Sequence, residues 1–264
     1  MHTSSPCDAA PAPLSWAAFG IAVAFLTRLT VPRMRVTSAL SAESIAASVV
    51  WYPVVGLGMG AVCTVPVYGV SVLANAPHLA WVWAWGYVCI GFFLTRGLHW
   101  DGLADITDAW GSGAQGPQFW KIVKDSRLGA FGAMGQVMAF SAMLIAAQAH
   151  ISQQHWWPLV LAPCLGRAAC IFLGATSAPR DPHSLGAMAC LGATVRRATL
   201  WALSLAGVGC VFFGGGRSFL LALAMVLLLL PLRRLAQKHG GCNGDFLGTA
   251  IVLSEVLTLM VLLV

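Results

Sequence analysis

Residues 130–149 have the sequence AFGAMGQVMAFSAMLIAAQA, which contains no Asp, Glu, Lys or Arg. An α-helix of about 20 residues is long enough to cross the ~30 Å hydrocarbon core of a bilayer. Seven further apolar segments occur, at about 14–31, 45–74, 80–97, 156–176, 198–213, 218–232 and 246–264. We therefore predict an all-α fold, a polytopic transmembrane helical bundle of about seven or eight membrane segments.

The composition also indicates a membrane protein. Apolar residues make up 58% of the 264 residues and charged residues only 9%, whereas a soluble domain has about a quarter charged residues. Residues 1–13 are rich in Pro, Ala and Ser and are predicted to be a disordered leader. Residues 14–264 are predicted to form a single integral membrane domain, which would contain all the catalytic residues.

Two of the apolar segments have irregular features. Arg28 and Pro32 end the first segment early, so it can be either a membrane span or a re-entrant or interfacial helix. The second segment contains Pro53, which predicts a kink. It also contains three glycines, Gly56, Gly58 and Gly60. Such small residues allow a neighbouring helix to approach closely.

The chain has a net charge of +6, and its basic residues lie mainly in alternate loops. Those that follow the first, third, fifth and seventh segments are Arg33, Arg35, Lys121, Lys124, Arg127, Arg180, Arg196, Arg197, Arg233, Arg234 and Lys238. By the positive-inside rule these four loops are cytoplasmic and both termini lie outside. The sequence has no stripe of basic and aromatic residues, so nucleic-acid binding is not expected.

Three of the nine acidic residues lie close together, in the sequence HWDGLADITD at 99–108. On a helix, Asp101, Asp105 and Asp108 share one face, at positions i, i+4 and i+7. Their carboxylates would repel one another, and a cation that prefers oxygen ligands, such as Mg²⁺, would relieve the repulsion. We interpret the three residues as metal ligands; the alternative is a solvated acidic loop at the membrane surface.

The next polar segment has basic residues at spacings of three, Lys121, Lys124 and Arg127. On a helix these can face one way, where they would bind phosphate oxygens, and Arg127 can hold two oxygens at once. We assign the three residues, together with Arg96, to substrate-phosphate binding. The alternative is that they only follow the positive-inside rule.

A second polar loop, GGCNGDFLG at 240–248, places Asp245 at the start of the last apolar segment. Its glycines allow positive φ angles and a close approach by a bound group. Asp245 can cap the helix that follows, or it can contact a metal or a substrate hydroxyl. The candidates for a general base at this site are His99, Asp125 and Asp245.

Three ionisable residues, Arg28, Arg167 and Glu255, lie in or at the edges of apolar segments. Such groups usually pair with one another or line a polar cavity. We expect Arg167 and Glu255 to line a cavity, because they lie deeper in their segments. Arg28 is a further cavity candidate, although its long side chain can also reach the membrane interface.

These residues resemble the motifs of the adenosylcobinamide-GDP ribazoletransferase family, which occur in family order over about residues 19–258. The motifs are Phe25-Leu26-Thr27-Arg28-Leu29, Tyr52-Pro53-x-Val55-Gly56, His99-x-Asp101-Gly102-Leu103-Ala104-Asp105-x-x-Asp108, Lys124-Asp125-Ser126-Arg127-x-Gly129-x-Phe131-Gly132, Gly166-Arg167 and Gly241-x-x-Gly244-Asp245-x-Leu247-Gly248. One departure is Asn243, where a hydroxyl residue such as Thr is expected.

The resemblance implies an Mg²⁺-dependent enzyme of the bacterial inner membrane with its active site on the cytoplasmic side. Such enzymes join adenosylcobinamide-GDP to α-ribazole, or to its 5′-phosphate, in the nucleotide-loop assembly step of cobalamin biosynthesis. The products are adenosylcobalamin, or its phosphate, and GMP. The expected partners are therefore these small molecules and the lipid bilayer, and a homo-oligomer is compatible with the sequence.

Two other functions fit parts of the sequence. A CDP-alcohol phosphatidyltransferase has a superficially similar acidic motif, but here Asp105 follows Ala104 where that motif has Arg. A membrane transporter fits the composition, but it would be expected to place ionisable groups near the membrane midplane. Most acidic residues of this chain lie instead in the predicted cytoplasmic loops.

The alternation of basic loops predicts the side of the membrane on which two positions lie. In intact cells, Gln115→Cys should be protected from a membrane-impermeant maleimide, because its loop is predicted to be cytoplasmic. Ser152→Cys, near a loop without Lys or Arg, should be labelled in the same cells. Labelling of residue 115 and protection of residue 152 would overturn the predicted topology.

Overall fold

The computed structural model of the protein describes residues 15–29, 42–74, 77–182 and 184–263. The predicted leader at 1–13 lies outside these residues. Within them the regular elements are helices, and one isolated backbone bridge joins Pro179 to Cys242. The α-helices are α1 (Trp16–Leu26), α2 (Ala42–Ser48), α3 (Tyr52–Ala74), α4 (Ala80–Thr95), α5 (Leu98–Gly111), α6 (Pro117–Val123), α7 (Ala130–Ser152), α8 (Trp156–Thr176), α9 (Leu185–Gly192), α10 (Val195–Phe213), α11 (Gly215–Lys238) and α12 (Gly244–Val261).

Six stretches of the described chain are long and apolar enough to cross a membrane: α2 together with α3, α7, α8, α10, α11 and α12. The apolar helices α1 and α4 are shorter, at 11 and 16 residues. Each of the eight predicted segments corresponds to one of these helices, so the prediction of a polytopic helical bundle is confirmed. The first is short because α1 ends just before Thr27, whose hydroxyl donates to the Val23 carbonyl.

The second segment packs closely against α8. A Cβ on Gly56 or Gly60 would overlap backbone atoms of α8, whereas one on Gly58 would meet open space. Two of the three glycines, one helical turn apart, therefore allow the close approach that the sequence predicts. The irregularity expected near Pro53 is a 3-10 turn, Val49–Trp51, which separates α2 from α3.

The polar segment after the third apolar segment is helical, although it is not one of the predicted membrane segments. Arg96 (φ 56°) and Gly97 (φ 69°) are both left-handed, and they end α4 and turn the chain into α5. α5 then packs against α7 and α12. The HWDGLADITD sequence is therefore held within the end of the bundle.

The polar loops meet at one end of the bundle. Backbone bonds of 2.8 Å join the Arg180 N–H to the Cys242 carbonyl and the Cys242 N–H to the Ala178 carbonyl. The indole N–H of Trp120 donates to the His239 carbonyl over 2.7 Å. These contacts bring together α6 and the loops that follow α8 and α11. The described parts of three predicted cytoplasmic loops therefore share one end, as the positive-inside rule requires.

Candidate active site

One side of α5 carries three carboxylates at increasing depth. Asp101, Asp105 and Asp108 all lie within the helix Leu98–Gly111, as their spacing predicts. Asp101 is exposed, Asp105 is half-buried and Asp108 is buried. The three side chains therefore lead from the surface into the protein, which does not fit the alternative of a fully solvated acidic loop.

The carboxyl of Asp105 is the most strongly perturbed of the three. Burial raises its pKa, and the charges of Asp245, Asp101 and Asp108 raise it further, to about 7. Near neutral pH this carboxyl is only partly ionised, because its neighbours oppose another negative charge. A cation bound at this point would favour the ionised form.

Asp108 holds the start of α7. Its two carboxylate oxygens accept the backbone N–H groups of Gly129 and Gly132, each over 2.7 Å. Neither position has room for a Cβ, which would press on the Asp108 carboxylate. Asp108 therefore supplies the N-terminal cap that α7 lacks from its own Gly129.

The carboxylates on α5 are suitable ligands for Mg²⁺. Asp101 and Asp105 provide oxygen atoms, and they lie close to other negatively charged side chains. Within the described ranges, no group of three His, Cys, Asp or Glu side chains is arranged to hold one metal ion. Mg²⁺ commonly keeps water and uses only one or two carboxylates together with substrate phosphates. Asp101 and Asp105 can supply these one or two carboxylates. The third predicted ligand, Asp108, instead accepts hydrogen bonds from the start of α7.

Asp245 lies close to α5 because α12 crosses α5 at this point. A Cβ on Gly102 would lie only 2.8 Å from the Asp245 Cα, so glycine allows the two backbones to touch. The Thr249 hydroxyl lies within hydrogen-bonding distance of the Gly102 carbonyl (3.0 Å) and of the Asp245 carbonyl (2.7 Å). This hydroxyl therefore links the two helices at the crossing.

Asn243 is the cap of α12. Its side-chain oxygen accepts the Phe246 N–H over 3.2 Å, and its amide nitrogen donates to the Asp245 carboxylate over 2.6 Å. The alternative that Asp245 serves only as the helix cap is therefore wrong. Asn243 provides the capping oxygen that a hydroxyl residue would provide at the same position.

Two neighbouring cavities lie beside Asp245 and Asp101, and the C-terminal end of α1 lines both of them. The first, the apolar cavity, has a volume of about 410 Å³ and includes His99 and Asp245 among mainly apolar side chains. The second, the polar cavity, has a volume of about 540 Å³ and includes Arg96 and Asp101. The site can therefore receive two different groups at once, with a carboxylate facing each.

His99 is buried where α5 crosses α12. Its Cα would lie 3.2 Å from a Cβ on Gly248. Burial, with a smaller effect of the Arg167 charge, lowers the pKa of His99 well below its usual value. The imidazole is therefore neutral near pH 7, and its protonated form is strongly disfavoured.

The basic residues after α5 do not share a helix face, so that expectation is wrong. α6 ends at Val123, Lys124 is its C-terminal cap and Arg127 lies beyond it. The Asp125 carboxylate accepts the Arg127 N–H (3.1 Å) and two bonds from its guanidinium (3.0 and 2.7 Å), which forms a turn. This pairing lowers the pKa of Asp125 to about 2, which makes it a weak general base. Lys121, on α6, is exposed.

Two of the three residues expected at a cavity form a buried ion pair. Arg167 on α8 donates to Glu255 on α12, and both line a small cavity that extends to His99. Arg28 is exposed and lies outside these three cavities. Its backbone N–H donates to the Leu94 carbonyl over 2.6 Å, which joins the end of α1 to α4.

The sequence did not identify the residues that position these acids. In the sequence, Gly129 and Gly132 are members of a motif without an assigned role, and Thr249 lies outside the motifs. Their spacing offered a signal, because the two glycines are one turn apart and Thr249 follows Asp245 by four residues. Nothing in the sequence indicated which carboxylate or carbonyl they would meet.

The fold and the site define a multi-pass helical membrane protein whose polar end holds clustered carboxylates between two cavities. A model of the cobalamin-5-phosphate synthase family matches residues 18–263. The chain belongs to this family. No solved structure matched the chain.

Three relatives illustrate the extent of the similarity, and each is named adenosylcobinamide-GDP ribazoletransferase. That of Nitratidesulfovibrio vulgaris (strain Miyazaki F) is 41% identical over 245 residues, covering 93% of this chain and 94% of its own. That of Stutzerimonas stutzeri is 34% identical, covering 91% and 95%, and that of Brevibacillus brevis 31%, covering 93% and 97%. The resemblance seen in the motifs is thereby confirmed, and neither a phosphatidyltransferase nor a transporter is favoured.

The bonds of Asp108 predict that it is needed for stability. In Asp108→Asn, one of the two acceptor oxygens becomes an NH₂ group that faces a backbone N–H, which should cost about 1–3 kcal/mol of unfolding free energy. Unfolding of the detergent-solubilised chain by denaturant measures this loss. Asp101→Asn is the control, because its side chain is exposed on the same helix. Equal stability of the two variants would show that Asp108 does not anchor α7.

Proposed function

We propose that this chain joins adenosylcobinamide-GDP to α-ribazole, or to its 5′-phosphate, and releases GMP. The observation that carries the proposal is that Asp245 and Asp101 line two adjoining cavities and that the charges of both act on Asp105. A reaction between two large substrates requires two binding sites that meet at the reacting atoms. The names of the relatives support the same activity.

In this reaction the 3′-hydroxyl of α-ribazole attacks the phosphorus on the cobinamide side of the pyrophosphate. The new P–O bond forms as the bond to the GMP oxygen breaks, and the electron pair leaves with GMP. The hydroxyl proton passes to a base on the protein. We assign this role to Asp245, because it lines the apolar cavity and the neighbouring His99 is a poor proton acceptor.

Mg²⁺, when bound, would neutralise charge on the pyrophosphate oxygens. We propose that Asp101 and Asp105 hold it, with water and phosphate oxygens as the other ligands. Asp108 would contribute to the metal site mainly by fixing α7 against α5. The pKa of Asp105, raised by burial and by the neighbouring carboxylates, supports the proposal of a cation at this point.

Arg96 is the basic residue best placed to bind the diphosphate, because it lines the polar cavity together with Asp101. Lys121, Lys124 and Arg127 are exposed at the same end of the bundle. Arg127 would have to exchange the Asp125 carboxylate for phosphate oxygens to take part. We therefore propose Arg96 as the first phosphate contact and the other three as an outer basic surface.

We also propose that this end of the bundle faces the cytoplasm of a bacterial cell, with the helices in the inner membrane. The basic residues of the loops that meet here support this orientation. The labelling of residues 115 and 152 tests the orientation.

The activity is tested by measuring GMP release from adenosylcobinamide-GDP by the purified full-length chain in detergent. Release should require both α-ribazole and Mg²⁺. Asp105→Asn should reduce the rate about 100- to 1000-fold, the loss typical of removing a group that stabilises transition-state charge. Asp181→Asn, on an exposed turn after α8, is the control and should leave the rate unchanged. Absence of GMP release by the wild-type chain would contradict the proposed function.

A further inference from the structure

The apolar cavity has a mainly apolar wall, and the transfer of a phosphate group does not by itself require such a wall. It lies among α1, α2, α3, α5, α8, α9 and α12, and its volume of about 410 Å³ is that of a small-ligand pocket. Aliphatic side chains supply most of the wall: Ile21, Ile45, Leu185, Ala189, Leu247 and Ile251. Such a wall favours a ligand group that gains free energy by leaving water.

One wall of this cavity is aromatic. The rings of Phe25 and Tyr52 are stacked, with centroids 5.9 Å apart and planes 18° from parallel, and both residues line the cavity. The Tyr52 side chain is buried, and its hydroxyl lies beside that of Ser48, which donates to the Ile45 carbonyl. The cavity thus offers a flat apolar face.

The proposed substrates contain three bulky groups, and they differ in their fit. A corrin ring with its amide side chains is larger than this cavity and polar at its edge. Guanine carries several hydrogen-bonding groups, which would lose water without finding partners among aliphatic side chains. The base of α-ribazole is a dimethylbenzimidazole, which is flat, mostly apolar and small enough for the cavity.

The position of the cavity also favours α-ribazole as its ligand. Asp245 and His99 line it, so a nucleoside held by its base would present its ribose beside the proposed base Asp245. The diphosphate is assigned to the polar cavity with Arg96 and Asp101. An attacking hydroxyl and a phosphorus atom that approach from two adjoining cavities can meet where the cavities adjoin, at the end of α1 and the start of α5.

We propose that the apolar cavity is the binding site for the benzimidazole base of α-ribazole, and that it sets the preference for an apolar base. This inference rests on the proposed function, since it names the cavity used by one of the two substrates. Each methyl group of the base should strengthen binding about fourfold, because it is removed from water into an aliphatic wall.

A matched pair of variants on α9 tests the assignment. Leu185 lines the cavity and Leu191 does not, and their exposed fractions are similar, at 58% and 54%. Leu185→Trp should raise the KM for α-ribazole about tenfold by narrowing the cavity, and change the KM for adenosylcobinamide-GDP less than about twofold. Leu191→Trp should leave both constants unchanged. Ala189→Met, from deeper in the wall, is a second variant with the same expectation as Leu185→Trp.

Equilibrium dialysis of radiolabelled α-ribazole with the full-length chain provides a readout that does not require turnover. Weaker binding to Leu185→Trp and to Ala189→Met, but not to Leu191→Trp, supports the assignment even if the wild-type chain releases no GMP; in that case only the proposed reaction fails. Unchanged α-ribazole binding in both cavity variants overturns the assignment. A rise in the KM for adenosylcobinamide-GDP alone also overturns it, because the cavity would then hold the donor.

Discussion

The contact between Gly102 on α5 and the backbone of Asp245 on α12 is the constraint on which the site depends. Only a residue without a Cβ lets the two helices approach so closely, and the Thr249 hydroxyl joins them at the same point. The crossing places Asp245 near the acids of α5, where burial, together with the charges of the neighbouring carboxylates, raises the pKa of Asp105 to about 7. It also leaves a separate cavity on each side. A backbone contact therefore brings Asp245 close to the carboxylates of α5.

The rest of the bundle keeps this crossing in place. α12 packs on α8, and the buried pair of Arg167 and Glu255 joins them. Breaking such a pair by removing one partner would leave a buried charge without compensation, which is strongly destabilising. α8 is in turn held against α3 through the glycine face at Gly56 and Gly60. On the other side of α5, Asp108 fixes the start of α7. The carboxylates thus lie on helices whose positions are set by buried contacts, which suits a site that must position two substrates.

The sequence predicted the features that depend on local pattern. Eight apolar segments became helices because the length needed to cross a bilayer is a local requirement, and the acids of α5 share a side because the helical period is local. Features that depend on distant contacts were missed. Asp108 meets Gly129 and Gly132, which are 21 and 24 residues away, and spacing alone could not show that contact. The basic residues at spacings of three were misplaced because Asp125 binds Arg127 in a turn after α6 has ended. The apolar cavity could not be predicted, since its wall comes from seven helices that are distant in the sequence.

Calorimetric titration of the full-length chain with Mg²⁺ at about pH 6 and about pH 8 measures whether the carboxylates at the α5–α12 crossing bind a cation, as we propose. The pKa of Asp105 is raised to about 7, so its carboxyl is mostly protonated at the lower pH and must lose that proton to become a ligand. Affinity should therefore rise about tenfold between the two pH values and then level off, with proton release greatest at the lower pH. Asp105→Asn should bind Mg²⁺ weakly and without this pH dependence. Equal wild-type affinity at both pH values, or unchanged binding by Asp105→Asn, would contradict the account.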